Sequence, residues 1–163
     1  NIRGQWQWLW HLMDGDTRFL LANHVSQGRT VADAREAFRE AKAVAKAQPR
    51  VIFTDSLGSY KPAIEKEFPN AVHVSGVGIQ GRINQNRIER LHSTLKEKTK
   101  TARAIKKPNS AIIEGQRIYY NHIRPHMALN GKTPAEAAGI ETNAEENRWE
   151  QLIRKAVHRS KES

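Results

Sequence analysis

A chain of 163 residues with 38% hydrophobic and 27% charged side chains has the size and balance of one soluble domain with its own core. No stretch nears the roughly 20 apolar residues of a membrane-spanning helix and no signal peptide is visible, while zero cysteines exclude disulfides and thiolate metal sites and suit a reducing cytoplasm. The net charge of +10 and a pI near 10.2 favour a polyanionic partner, nucleic acid first among them.

In chain order, QWQWLWHLMD (5–14) alternates, with Trp6, Trp8, Trp10 and Leu12 on one face and Leu9, His11 and Met13 on the other. That pattern predicts a strand covered on both sides. Aromatics at period two fit a core better than a base-stacking stripe, although tryptophan suits both uses. DGDT turns the chain, and RFLLANHV (18–25) is the expected hairpin partner. TVADAREAFREAKAVAKAQ predicts a helix: Thr30 and Asp33 make a capping box, Val31, Ala34, Phe38, Ala41 and Ala45 share a face, and Pro49 stops it. RVIFTD (50–55) reads as a buried strand that delivers Asp55 to a sheet edge. Pro62 starts a helix through Phe68, which Pro69-Asn70 ends, and AVHVSG (71–76) is a further short strand.

The Gly-rich GVGIQGRI leads into a long helix from about 84 to 103. Residues 109–122 read as helical, HIRPHMALNGKTPAEAAGI as a turn-rich connection with a short helix at 134–138, and 143–159 as a polar helix or frayed tail. The order β-β-α-β-α-β-α-α implies an α/β domain with a mixed sheet.

The charge is concentrated. Residues 81–107 hold nine Lys or Arg against Glu89 and Glu97, which is +7 of the total +10, the pattern of a polyanion footprint rather than a solvation coat. On the long helix Ile88, Leu91 and Leu95 should face the core, while Glu89, His92, Ser93 and Lys96 fall on the neighbouring face. Glu89 then borders the sheet. Close to a strand-end Asp55 it would make a hard oxygen site suited to Mg²⁺ or Mn²⁺, and the surrounding cations would hold DNA phosphates. Taken singly, each residue has a simpler reading, Glu89 as an ion-pair partner of nearby arginines and Asp55 as a strand-end cap. His92 reads either as a phosphate contact or as a support for Glu89. His126, in RPH, reads first as a residue that fixes a loop by hydrogen bonding.

TDSLGSY (54–60), NQNRIERLHSTLKEKTK (84–100) and YNHIRPHMALNGKTPAEAAGI (120–140) resemble the catalytic domain of bacterial and archaeal insertion-sequence transposases. These belong to the DDE superfamily, which shares the RNase H-like fold of retroviral integrases. The resemblance covers about residues 1–140, and the 33 residues between Asp55 and Glu89 lie close to the family's usual spacing. It implies an RNase H-like mixed sheet flanked by helices. It also implies that Asp55 is the second catalytic Asp and Glu89 the catalytic Glu, together holding two Mg²⁺ (or Mn²⁺) ions. The implied chemistry is DNA cleavage and joining, in which water and then a DNA 3′-hydroxyl attacks a phosphodiester. Arg82, Arg87, His92, Lys96, Lys98 and Lys100 are the expected DNA contacts. Transposon ends and target DNA are the expected partners, a homo-oligomer the expected assembly, and the nucleoid-associated cytoplasm the expected location, with no membrane involved.

The first catalytic Asp of relatives lies on a strand preceding the turn matched here by IRGQW, where only Asn1, Ile2 and Arg3 stand. Asp14, at the end of the second strand, and Asp16, in the turn, are not assigned that role. The expectation is therefore a piece of a longer or processed chain: a partial catalytic domain over 1–140, its first and central strand largely missing, followed by a polar C-terminal helix or tail over 141–163. Poor pairing between 5–25 and 50–55 and impaired strand transfer follow from it. Two alternatives accompany this reading. One is a catalytically inactive DNA-binding or subunit-binding remnant of a transposase; the other is an RNase H-like nuclease that cuts without joining.

Overall fold

In the computed structural model, residues 6–76, 93, 111–140 and 147–159 are described. Strands β1 (Trp8–Met13) and β2 (Leu20–Ser26) form the expected antiparallel hairpin, with Trp8 opposite Ser26 and Met13 opposite Leu20 across a bulge between Leu12 and Met13. Asp14 builds the turn. Its Oδ1 accepts the Thr17 N–H at 2.8 Å and the Thr17 hydroxyl at 2.6 Å, and Arg18 closes the loop with a left-handed φ of 60°.

Helix α1 (Val31–Ala45) starts at the predicted capping box, Thr30 accepting from Asp33 N and Asp33 accepting from Thr30 N. It ends earlier than Pro49 suggests, because Lys46 turns left-handed and its N–H returns to the Lys42 carbonyl. Ala45 is consequently exposed, and the buried face is Ala34, Ala37, Phe38 and Ala41. Helix α2 (Tyr60–Glu67) begins two residues before Pro62, which sits within its first turn.

Strands β3 (Val51–Thr54) and β4 (Val72–Ser75) pair in parallel, Val51 with Val72 through Thr54 with Ser75. Among the described residues the hairpin and this pair form two two-stranded sheets, with no pairing between 8–26 and 51–54. The mixed character of the α/β fold is thus divided between an antiparallel and a parallel sheet. The expectation that β3 is buried needs correction. Ile52 points toward the core, but Val51 and Phe53, with Val72 and Val74 beside them, lie on an exposed face.

The main core lies between the hairpin, α1 and α2: Trp10, Ala34, Ala37, Phe38, Ala63, Ile64 and Phe68. Its rings meet edge-on, Phe38 with Phe68 at 5.8 Å and Trp10 with Tyr60 at 5.6 Å, the geometry favoured by aromatic quadrupoles. Glu67 ties the two helices together, accepting from Arg35 Nε at 2.7 Å and from Arg39 Nε at 3.1 Å.

Helix α3 (Ala111–Ile118) continues into a wide π-helical turn, Tyr119–Ile123, closed by an Arg124 N–H to Tyr119 carbonyl bond of 2.9 Å. This stretch meets the hairpin in a second small cluster of Leu20, Tyr120 and Met13. A 3₁₀ turn (Met127–Leu129) and the short helix α4 (Pro134–Ala137) follow, α4 opening on a Thr133–Glu136 capping box. The C-terminal helix α5 (Arg148–Arg159) is tied to α4 by Arg148 Nη2 and Glu136 Oε1 at 3.0 Å. Among the described residues, no helix is long and apolar enough to cross a membrane.

Candidate functional site

Asp55 follows the last residue of β3, at the C-terminal end of the parallel pair, where open α/β sheets present their functional side chains. The loop that carries it is fixed from both sides. The Asp55 Oδ1 accepts the Leu57 N–H at 2.9 Å, and the Tyr60 N–H donates to the Leu57 carbonyl at 3.1 Å. Beneath it, Leu57 and Tyr60 pack on the main core. The Thr54 hydroxyl bonds His73 Nε2 across the two strands at 2.7 Å, locking the end of the ladder. The Asp55 carboxylate itself is exposed, and its Oδ2 has no hydrogen-bond partner among the described residues. Such an oxygen suits a hard divalent cation as one ligand of a set. Among the described residues, no group of three His, Cys, Asp or Glu side chains converges as a metal site.

Two residues linked to this loop, Tyr60 and Arg29, escaped the sequence reading as site residues. Burial first, and the Asp55 charge with it, push the Tyr60 hydroxyl up to about 12 against the opposing effect of Arg29. Arg29 lies in the loop before α1 with its guanidinium carbon 3.9 Å from the centre of the Trp8 ring, a cation–π contact. Arg29 acquires its place only when the hairpin folds beside the loop before α1, and Tyr60 its burial only when α2 packs on the core.

The other sequence-predicted site residues divide into two groups. Glu89, Arg82, Arg87, His92, Lys96, Lys98 and Lys100 lie outside the described residues. Asp14 and Asp16 are in the hairpin turn, with Asp14 engaged by Thr17. His126 serves its loop, as read from sequence: its carbonyl accepts from Leu129 and Gly131, and its ring stands 4.7 Å from that of Tyr120. Burial, with Arg124 and Arg18 nearby, lowers the His126 pKa.

The DDE domain family matches residues 1–126. Among solved structures, a chain of the simian T-cell lymphotropic virus intasome, determined by cryo-EM in complex with PP2A regulatory subunit B56 gamma, is similar with a TM-score of 0.65 and 12% identity. The match covers 90% of this chain and 52% of that one, so this chain spans about half the length of the structure it matches. At that identity the likeness concerns the fold, and the fold is the RNase H-like α/β arrangement that the motifs imply. No curated protein matches in sequence.

Proposed function

The chain belongs to the DDE domain family of transposases and integrases, and from that premise we propose that it is the core of a DNA transposase that cleaves and joins DNA strands with divalent metal ions. The observation that carries this reading is the exposed Asp55 at the end of a parallel strand pair, in a loop held by Leu57 and Tyr60. Asp55 and Glu89 are its metal ligands, and Mg²⁺ (or Mn²⁺) supplies activation of the attacking oxygen and stabilisation of the leaving one when bound. Arg82, Arg87, His92, Lys96, Lys98 and Lys100 hold the phosphates of transposon-end and target DNA, and the working assembly is a homo-oligomer. The catalytic domain occupies 1–140 and the helical extension 141–163.

Asp14 is not assigned as a third ligand; its Oδ1 fixes the hairpin turn by accepting from both donors of Thr17. The test is Mg²⁺-dependent cleavage and joining of transposon-end DNA by the protein and by its Asp55→Asn and Glu89→Gln variants, each of which should abolish the activity. Full activity in either variant would remove that residue from the metal site. Binding without cleavage would identify a DNA-binding remnant, and cleavage without joining a nuclease.

A further inference from the structure

The three tryptophans of the first strand region share a face by period but not an environment. Trp10 is 5% exposed and its Nε1–H donates to the Ser26 hydroxyl at 2.7 Å. Trp8 is 39% exposed and Trp6 76%. The cause is the length of the cover. Helix α1 begins at Val31, so its body lies over Trp10, while only the preceding loop reaches Trp8, through Arg29. The sequence expectation that all three indoles fill a core holds for Trp10 alone.

Arg29 is exposed and has no carboxylate partner among the described residues. Its guanidinium carbon sits over an indole ring at 3.9 Å, and its N–H donors can serve a planar or tetrahedral oxyanion. On the same face, two residues further along the strand, Trp10 meets Tyr60, which ends the loop that Asp55 begins. Arg29 and Asp55 both act electrostatically on the Tyr60 hydroxyl, which links the exposed indoles and the Arg29 fork to the loop that carries the candidate metal-binding carboxylate. The charge of the chain, +10, makes the oxyanion of a nucleic acid the natural occupant. Indole faces stack on any base but reach one only when it is unpaired, since duplex bases already stack on each other.

We propose that Trp6, Trp8 and Arg29 form a stacking platform for an unpaired DNA base beside Asp55, with the Arg29 N–H edge on the neighbouring phosphate. The proposal rests on the reading of Asp55 as part of a DNA-processing site. It adds to that reading a preference for DNA whose strand is open next to the position cut or joined.

The test is fluorescence anisotropy with the full chain in EDTA, so that binding is read without cleavage. Two labelled DNAs are compared: a blunt duplex and the same duplex with a short single-stranded overhang. Wild type should prefer the overhang. The Trp6→Ala/Trp8→Ala double variant should lose about 5- to 150-fold on the overhang DNA, the range of one base–aromatic stacking contact, and change blunt-duplex affinity by less than about twofold. Trp6→Phe/Trp8→Phe keeps the ring faces and should retain most of the preference. Circular dichroism of each variant separates unfolding from loss of the platform. No preference in wild type, or equal losses on the two DNAs in a folded variant, would overturn the proposal while leaving the transposase reading to its own cleavage assay. Conversely, if Asp55→Asn leaves Mg²⁺-dependent cleavage intact but the overhang preference depends on the tryptophans, the role of Asp55 fails and the platform stands.

Discussion

Asn121 holds both main-chain groups of Leu20, a residue 101 positions earlier: the Leu20 N–H donates to Asn121 Oδ1 at 2.8 Å, and Asn121 Nδ2 donates to the Leu20 carbonyl at 2.9 Å. The side-chain amide does for the start of β2 what a neighbouring strand does elsewhere in a sheet, and both residues are fully buried. Replacing Asn121 with Ala leaves one buried donor and one buried acceptor without partners. At about 1–3 kcal/mol for each such group, Asn121→Ala should lower unfolding free energy by about 2–6 kcal/mol in urea titration. Asn121→Asp, which keeps the acceptor but not the donor, should also destabilise. A loss under about 1 kcal/mol for the Ala variant would mean that water replaces the amide.

The α1–α2 clamp makes a graded prediction. Glu67 is nearly buried, whereas Arg35 and Arg39 are progressively more exposed, with side-chain accessibilities of 30% and 54%. Solvent weakens an exposed ion pair. Arg35→Ala should therefore cost about 1 kcal/mol and Arg39→Ala less than half of that. Thermal unfolding of the two variants checks the order, and a larger effect of Arg39 would contradict the geometry.

Acid should destabilise the domain in two stages. Burial, together with Arg117 and Lys155, lowers the pKa of His122, and burial with Arg124 and Arg18 lowers that of His126, from 6.5 in both cases. A folded-state pKa below the unfolded one means that the unfolded chain binds protons first, so the stability contributed by the neutral rings is present above about pH 6.5 and is lost as pH falls below it. Glu67 adds the second stage. Burial alone would raise its carboxyl, but the Arg35 and Arg39 guanidinium groups outweigh it and hold it below 4.5, so its contribution is lost as pH falls below that value. Chemical denaturation between pH 7.5 and 4 should show stability declining from about pH 6.5, and His122→Phe/His126→Phe should flatten the first stage. Unchanged curvature in that variant would rule the histidines out.

Phosphate binding by the basic segment predicts a salt signature. Changing Lys96, Lys98 and Lys100 together to Ala should weaken binding to unrelated DNA sequences alike and reduce the slope of log K against log salt by about 2–3. An unchanged slope would mean that these lysines only solvate the surface.

If Asp55 and Glu89 share cations, their carboxylates should stand roughly 4–8 Å apart, because paired ions in such sites lie about 3.5–4 Å from each other. A crystal structure soaked with Mn²⁺ measures this directly. Carboxylates on opposite sides of the β3–β4 pair would remove the catalytic assignment.

Features set by neighbours in sequence were legible before the structure. The Thr30–Asp33 capping box, the hairpin around Asp14–Thr17 and the strand ending at Asp55 each depend on residues a few positions apart. Proline proved a weaker marker: α1 ends on the left-handed Lys46 before Pro49 is reached, and α2 admits Pro62 in its first turn, where no intrahelical donor is needed. The exposure of Trp6 and Trp8 was hidden because alternation identifies a face but not how far the covering helix extends along it. Asn121 and Arg29 were missed for the related reason that their partners, Leu20 and Trp8, become neighbours through tertiary packing. No periodicity announces an amide that binds a strand end 101 residues away.

The wide turn at Tyr119–Ile123 has a bearing on how the chain tolerates insertions and deletions. An α-helix advances about 100° per residue, and a turn closed five residues apart advances less, so consecutive Tyr120 and Asn121 both reach the buried side. The extra residue acts as a phase adjustment between α3 and the loop that follows. Removing a single residue here would let the backbone relax into an ordinary helix, with local hydrogen bonding improved. The same deletion would swing Asn121 away from Leu20 and rotate everything beyond it, including the His126 loop. Helical propensity and long-range tethering are thus set against each other in these five residues, and chain length there matters as much as side-chain identity.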